Sequence, residues 1–443
     1  MNSTQKVVKF RGGVHPREGK ELTASRELRI APLLEKYIVP IRQSIGAPPT
    51  LCVKKGDAVK KGQRIAEPGG FVSVPLHSPT SGTVGDVVEI IGVTGAAEQA
   101  VEIIADGQDE WGAGLDPIPN WENTDRELLK KRILDAGIVG MGGAAFPTHV
   151  KLSPPPEKNI DTLIINGAEC EPYLTADHRL MLDRGEAALI GASIAAKILK
   201  VDRVFVGIEE NKPDAIQKMT ELASKYKINV VPLRVRYQQG AEKQLIYALT
   251  GRKVVEGGLP MDVGCVVMNV GTAAAVHNAV VLGEPLIERI TTVTGSPVAD
   301  PANFLFRIGT PIRKALELCG GVTTPPAKVI MGGPMMGFAQ SNIEVPITKN
   351  SSGVLLMAPE EGEQFMGHPC IRCGRCVAAC PMNLLIPQLS VMVEAEKFDM
   401  AEHNYVMDCM ECGICAYVCP AKRPLVQHFR RAKAEILAKR RKK

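Results

Sequence analysis

Eight cysteines fall in two runs of one design, Cys370-x-x-Cys373-x-x-Cys376-x-x-x-Cys380-Pro381 and Cys409-x-x-Cys412-x-x-Cys415-x-x-x-Cys419-Pro420. A two-residue spacing lets three thiolates of one tight loop reach three corners of an iron–sulfur cubane. The fourth cysteine starts a helix that points away, so it reaches the other cluster. The pattern therefore assigns Cys370, Cys373, Cys376 and Cys419 to one [4Fe–4S] cluster, and Cys380, Cys409, Cys412 and Cys415 to a second. Pro381 and Pro420 end each loop and direct the chain onward. Zinc favours two well-separated C-x-x-C pairs in a tetrahedron, a poor fit to the doubled motif. Clustering of this kind indicates metal binding rather than disulfides, and two adjacent clusters imply one-electron transfer. Cys52, Cys170, Cys265 and Cys319 stand apart and read as small buried hydrophobes.

A second chemical signal is Gly140-Met141-Gly142-Gly143-Ala144-Ala145-Phe146-Pro147-Thr148, with Lys151 beyond it. Without side chains, Gly140, Gly142 and Gly143 let backbone N–H groups approach a phosphate, and Lys151 adds positive charge. The spacing is not G-x-G-x-x-G, and the run follows an expected helix, Arg126–Asp135, instead of a strand. A merely structural turn is therefore an open alternative for the loop alone. Three further segments sit at predicted strand ends, where open α/β sheets bind ligands: Asn166-Gly167-Ala168-Glu169-Cys170-Glu171, Tyr237-Gln238-Gln239-Gly240-Ala241-Glu242, and Met268-Asn269-Val270-Gly271-Thr272.

The elements that must position these groups follow from periodicity. At 443 residues the chain suggests two to four domains. Strands are expected at 160–166, 203–208, 228–235 and 265–270, with helices at 176–200, 213–227, 241–249 and 272–282. That order predicts a mostly parallel sheet covered by helices. Residues 46–115 read as short strands with Gly-Asp and Lys-Lys-Gly turns and resemble the barrel-sandwich hybrid of lipoyl and biotinyl carriers. No lysine occurs between Gly62 and Leu129, so the fold is expected without the carrier chemistry. The expected organisation is an irregular arm (1–45), the barrel-sandwich domain (46–115), an α/β domain (120–285), a β-grasp unit (286–345), a linker (346–366), a helical two-cluster ferredoxin-like domain (367–430) and a basic tail (431–443).

The net charge of +5 is too small for this length to argue for nucleic acid. The first residues lack the apolar core of a secretory signal. The uncharged stretch 263–283 contains Asn269, Thr272, His277 and Asn278 and reads as strand, turn and helix, not a membrane span. Ten Lys or Arg between Ala421 and Lys443 face one acidic residue, Glu435. The tail is either a solvated end or a basic helix, with Phe429 and Ile436 as its apolar stripe, that meets anionic lipid or an acidic partner.

"GMGGAAFPT…K", "NGAECEP", "YQQGAE" and "MNVGT" together resemble the FMN- and NADH-binding subunit of respiratory complex I. "FRGGVHP…K" and the doubled cysteine motif resemble the family of Rnf complex C subunits, NAD:ferredoxin oxidoreductases of bacterial membranes, across essentially the whole chain. The resemblance implies a Rossmann-like FMN/NAD(H) domain followed by an SLBB-type β-grasp. It places FMN contacts on Gly140, Gly142, Gly143, Lys151, Asn166, Glu169, Tyr237, Gly240, Asn269 and Thr272, and NAD(H) contacts on Phe146, Glu171 and Glu242. Ala168 and Ala241 stand where the complex I pattern is acidic. The implied function is electron exchange among NAD(H), FMN and two clusters, beside other subunits that include an iron–sulfur protein, at the cytoplasmic face of the bacterial membrane. Alternatives are an NADH-oxidising subunit of a soluble hydrogenase or reductase, and a flavin-free iron–sulfur adaptor.

Overall fold

The structure is a computed structural model that describes residues 7–362 and 367–441. The outermost part of the arm (1–6), four residues assigned to the linker (363–366) and the last two of the tail (442–443) lie outside the described residues.

Four strands, Thr162–Gly167, Arg203–Glu209, Asn229–Leu233 and Cys265–Asn269, form one sheet in which every neighbour pair is parallel. Leu163, Ile164, Ile165, Val204, Val206, Val266 and Val267 are buried, as expected for strands covered on both faces. The helix Ala176–Leu199 packs along the helix Val270–His277. Their approach is close enough that a Cβ on Gly191 would overlap the Ala273 carbonyl. The helix Pro213–Ala223 starts at Pro213, whose fixed φ and missing N–H suit a first turn, and buries Ala215, Met219 and Ala223 at a four-residue spacing.

The barrel-sandwich region pairs Lys36–Pro40, Ala97–Ala105, Gly82–Ile91 and Ala58–Val59 in one sheet, and Thr50–Leu51, Arg64–Glu67 and Leu76–His77 in another. A six-stranded mixed sheet runs Leu28–Ile30, Ala302–Arg307, Glu288–Thr294, Gly353–Met357, Lys328–Met331, Phe338–Gln340. Two expectations need correction here. The arm is not irregular throughout, because Leu28–Ile30 and Lys36–Pro40 close the edges of two sheets. Strands of three and five residues carry little local signal and are completed by distant partners. Gly353–Met357, read as linker, lies inside the sheet, parallel to one neighbour and antiparallel to the other. Its apolar run is short, and the polar residues after it dominated the pattern. A third correction concerns Cys52, which is exposed, whereas Cys265 and Cys319 are buried.

Lys349 ties three of these units together. Its buried ammonium donates to the carbonyls of Gly137 and Pro75, at 2.7 and 3.2 Å, and its own N–H donates to Gln43. Burial pushes its pKa down to about 7. The folded protein thus binds fewer protons here than the unfolded chain between pH 7 and the ordinary lysine value, so this group's contribution to stability rises with pH in that window. The melting temperature of wild type relative to Lys349→Met should climb as pH rises from 7 toward 10, and a flat difference would remove Lys349 as the cause.

The cysteine region is helical: Arg375–Ala379, Ile386–Glu394, Phe398–His403, Ile414–Tyr417 and Leu425–Arg441. The described part of the basic tail is not a free end. It continues the last helix, which buries Phe429, Ala432 and Ile436 against Leu389 and Val393. Its basic face pairs Arg431 with Glu396, Lys433 with Glu411, Lys439 with Asp399 and Arg440 with Glu402. Among the described residues no helix is long and apolar enough to cross a membrane.

Candidate redox centres

The two cysteine loops repeat one backbone shape. Arg372 and Glu411 both have φ +56°, followed by Gly374 at +73° and Gly413 at +79°. In each loop the residue two after the first cysteine donates its N–H to that sulfur, Arg372 to Cys370 and Glu411 to Cys409, both at 3.4 Å. Left-handed turns of this kind aim amides inward at a centre of negative charge. The structure gathers Cys370, Cys373, Cys376 and Cys419 around one cavity, with Ile371, Pro387 and Arg423 also in its wall. It gathers Cys380, Cys409, Cys412 and Cys415 around a second, with Met382 and Glu411.

The two sets differ in exposure. Cys370 and Cys373 face solvent, whereas Cys380 and Cys415 are buried. Burial, together with the neighbouring cysteines, pushes the thiol of Cys409 up to about 11 and that of Cys412 up to about 12. Burial favours the protonated form of Cys409 and Cys412 unless cations compensate the thiolates, which is the condition that a thiolate-bound iron cluster meets. The donor set therefore fits two [4Fe–4S] groups.

The glycine loop lies against the N-terminus of the helix Val270–His277. Asn269 caps that helix, accepting from the N–H groups of Gly271 and Thr272 at 2.8 and 3.3 Å. Its amide also donates to Asp177 at 2.6 Å. The Thr272 hydroxyl accepts from Met141 N–H at 2.9 Å, which pins the loop to the helix end. A Cβ on Gly142 would come within 2.9 Å of the Asn269 side chain, whereas one on Gly143 would meet nothing within 4 Å. The loop thus presents bare backbone beside a helix N-terminus, a cradle suited to phosphate. Lys151 sits at the base, bonded to Glu242 at 3.1 Å and to the Val267 carbonyl at 2.9 Å.

At the neighbouring strand ends, Asn166 donates to the Gly240 carbonyl and accepts from Ala168 N–H. A Cβ on Gly240 would overlap the Ala168 carbonyl. Glu169 accepts from the N–H groups of Asp177 and His178. Glu171 accepts from Met335 and Met336, at 2.7 and 3.1 Å, in a turn of the mixed sheet, and burial raises its pKa. Phe146 is half-buried, and its carbonyl accepts from Gly140 N–H. The Gln238 carbonyl and the Gln239 amide nitrogen are buried without hydrogen-bond partners in the protein. Orphaned polar atoms at a strand-end crevice are the signature of a polar ligand's place. The residues present fit a flavin phosphate and ring.

Two groups escaped the sequence reading. Asp177 is half-buried, and desolvation beside Glu169 raises its pKa to about 6. Arg289 is buried and donates to the Met141 carbonyl at 2.9 Å from the mixed sheet. Neither lies in a motif, since Arg289 reaches the glycine loop and Asp177 the helix cap Asn269 only through tertiary folding.

The two centres meet at Tyr237, whose hydroxyl donates to the Cys412 carbonyl at 2.8 Å. The buried cysteine set therefore adjoins the crevice, and the exposed set lies beyond it.

Comparison with known proteins finds four matching family models. A Nuo51 FMN-binding domain model matches residues 133–278, an RnfC barrel sandwich hybrid model 8–108, an SLBB model 290–339 and a 4Fe-4S dicluster model 369–422. The chain is 49% identical to the C subunit of the proton-translocating ferredoxin:NAD(+) oxidoreductase complex of Clostridium ljungdahlii, covering 96% of this chain and 93% of that protein. It is 46% identical to the Na(+)-translocating counterpart of Acetobacterium woodii, covering 98% of both. Among solved structures, a chain of an NAD+-reducing [NiFe]-hydrogenase shares the fold with a TM-score of 0.51 at 18% identity, over 71% of this chain and 63% of that one.

Proposed function

The chain belongs to the family of C subunits of ion-translocating ferredoxin:NAD(+) oxidoreductase complexes, and on that premise we propose how its residues divide the work of passing electrons between NAD(H), FMN and two [4Fe–4S] clusters. The observation that carries the reading is the contact of Tyr237 with Cys412, which joins the crevice to the buried cysteine set. FMN supplies the conversion of a two-electron hydride into single electrons, and each cluster carries one.

Gly140, Gly142 and Gly143 hold the phosphate with backbone amides beside the helix end capped by Asn269. Thr272 fixes the loop, and Lys151 supplies charge. Asn166, Glu169, Tyr237 and Gly240 shape the floor for the ring. Phe146, Glu171 and Glu242 receive NAD(H). Cys380, Cys409, Cys412 and Cys415 hold the cluster next to the flavin. Cys370, Cys373, Cys376 and Cys419 hold the outer one, whose exposed rim, with Ile371 67% accessible between two ligands, faces an iron–sulfur partner protein of the complex. The chain attaches peripherally to its membrane complex, and we place it on the cytoplasmic face, where NAD(H) is found.

The direct test is chemical analysis of the anaerobically reconstituted chain. One extractable FMN per chain and about eight iron atoms are expected for two cubanes. Absence of FMN, or iron near half that value after full reconstitution, would reject the reading. For the nicotinamide side, Glu171→Gln should raise KM for NADH with an artificial acceptor at unchanged flavin content. An unaltered KM would remove Glu171 from the site.

A further inference from the structure

The segment Phe10–Val14, with its two adjacent glycines, is used by none of the sites above, yet it lies between two of them. Val14 and Tyr237 exchange both backbone hydrogen bonds, at 2.8 and 2.9 Å. Gly13 N–H donates to the carbonyl of Ala379 at 2.9 Å, one residue before Cys380. One side of the segment is thus fastened to the flavin-side strand end, and the other to the loop that carries a cysteine of the buried set.

Nothing bulkier than glycine fits there. A Cβ on Gly12 would stand 2.7 Å from the Ala379 carbonyl oxygen and 2.9 Å from the carbonyl carbon of Cys380. A Cβ on Gly13 would stand 2.7 Å from the Tyr237 carbonyl oxygen and 2.8 Å from Nε of Arg236. Both residues are left-handed, φ +77° and +82°, which only glycine adopts without strain. Phe10 anchors the segment: it is buried under the Arg236 guanidinium, 5.3 Å from the ring centre, and its carbonyl accepts from Arg236 at 3.3 Å.

We propose that Phe10–Val14 is a spacer strap that sets and holds the separation between the strand end at Tyr237 and the Ala379–Cys380 segment, which gives the buried cluster its fourth ligand. The inference rests on the functional reading above, which puts a flavin on one side of the strap and a cluster on the other. One electron leaves the reduced flavin and one reduces the oxidised cluster, with no bond made or broken. The rate of such a step falls steeply with the gap. The Tyr237–Cys412 hydrogen bond is joined by contacts of Gly257 with Asp408 and of Arg430 with Phe338, and the strap adds fastenings directly between the Tyr237 strand end and Ala379.

The test uses the full chain, loaded with FMN and iron, carrying Gly13→Ala. Flavin content, iron content and NADH-dependent reduction of ferricyanide, read at the flavin, stay at wild-type values. Stopped-flow reduction of the clusters by NADH slows several-fold, because the added methyl group forces the gap wider and the electron-transfer rate falls steeply with distance. The electron paramagnetic resonance signal of the buried cluster, which takes Cys380 next to the strap, shifts more than that of the exposed cluster, whose Cys376 lies further back on the helix ending at Ala379. Phe10→Ala loosens the anchor without adding an atom and gives the same split with smaller amplitude. A loaded Gly13→Ala protein that reduces its clusters at the wild-type rate overturns the proposal. If Gly13→Ala fails to load, Phe10→Ala decides: normal cluster reduction overturns the strap, and slowed reduction supports it. Loss of FMN in both variants also overturns it, because the segment would then belong to the flavin pocket. A wild-type chain without FMN sinks the functional reading itself, before any variant is compared.

Discussion

Cys419→Ser is expected to shift or abolish the paramagnetic signal of the exposed cluster and to leave the buried cluster intact, although Cys419 belongs to the motif whose other three cysteines line the buried cavity. The cavity walls give the reason. Cys419 stands with Cys370, Cys373 and Cys376, and Cys380 stands with Cys409, Cys412 and Cys415. Replacing sulfur by oxygen at one corner weakens a soft, thiolate-held iron. Iron content should fall by as much as about half, the share of one cubane in two. The reciprocal variant, Cys380→Ser, should strike the buried cluster, and with it the reduction of the exposed one by NADH. Loss of the buried signal in Cys419→Ser would show that the ligands are not crossed.

Gly143→Val is expected to empty the flavin site while the protein folds and keeps both clusters. Gly142 is the less informative position, because a side chain there also strikes Asn269, the cap of the supporting helix. At Gly143 a Cβ meets nothing in the protein within 4 Å, so added methyl groups intrude only on a ligand. Displacing the phosphate costs at least one or two charge-assisted hydrogen bonds, about 1.5–3 kcal/mol each. Since about 1.4 kcal/mol is a factor of ten in Kd, FMN affinity should drop roughly a hundredfold. Equilibrium dialysis or extractable flavin measures it directly. A folded Gly143→Val chain with its full complement of FMN would show the glycines to be a structural turn.

Short-range rules carried much of this architecture. The four parallel strands and the helices Ala176–Leu199 and Pro213–Ala223 follow from period and from Pro213 as a starter, with ends off by a few residues where the last turns shorten. The gathering of three neighbouring cysteines with a distant fourth follows from the C-x-x-C spacing alone. What sequence could not supply was whatever depends on remote partners. Gly353–Met357 is a strand only because Glu288–Thr294 and Lys328–Met331 flank it. The basic run at 431–441 looked free because the acids that neutralise it, Glu396, Asp399, Glu402 and Glu411, sit on other elements. Asp177 joins the helix cap Asn269 from another helix, and Arg289 joins the glycine loop from a second sheet, and no local pattern marks them. The segments of Asn166, Tyr237 and Thr272 stood out as the ends of predicted strands, and the resemblance to a known family then suggested their roles.

The crossed gathering of cysteines also bears on the order in which the protein is made. The strands and helices of the flavin crevice lie between residues 126 and 282 and leave the ribosome well before either cysteine loop. Domains of this kind fold as units during synthesis, earlier ones first. Because each cysteine set takes its fourth member from the other motif, the buried iron centre cannot be completed until residue 415 has emerged, nor the exposed one until residue 419. The contact between Gly13 and Ala379 has to wait for residue 379. Flavin can therefore be captured by a nascent chain, whereas iron delivery is a late and nearly simultaneous event for both clusters. A cell short of iron would accumulate a yellow, flavin-loaded form of the protein and little with only one cluster filled.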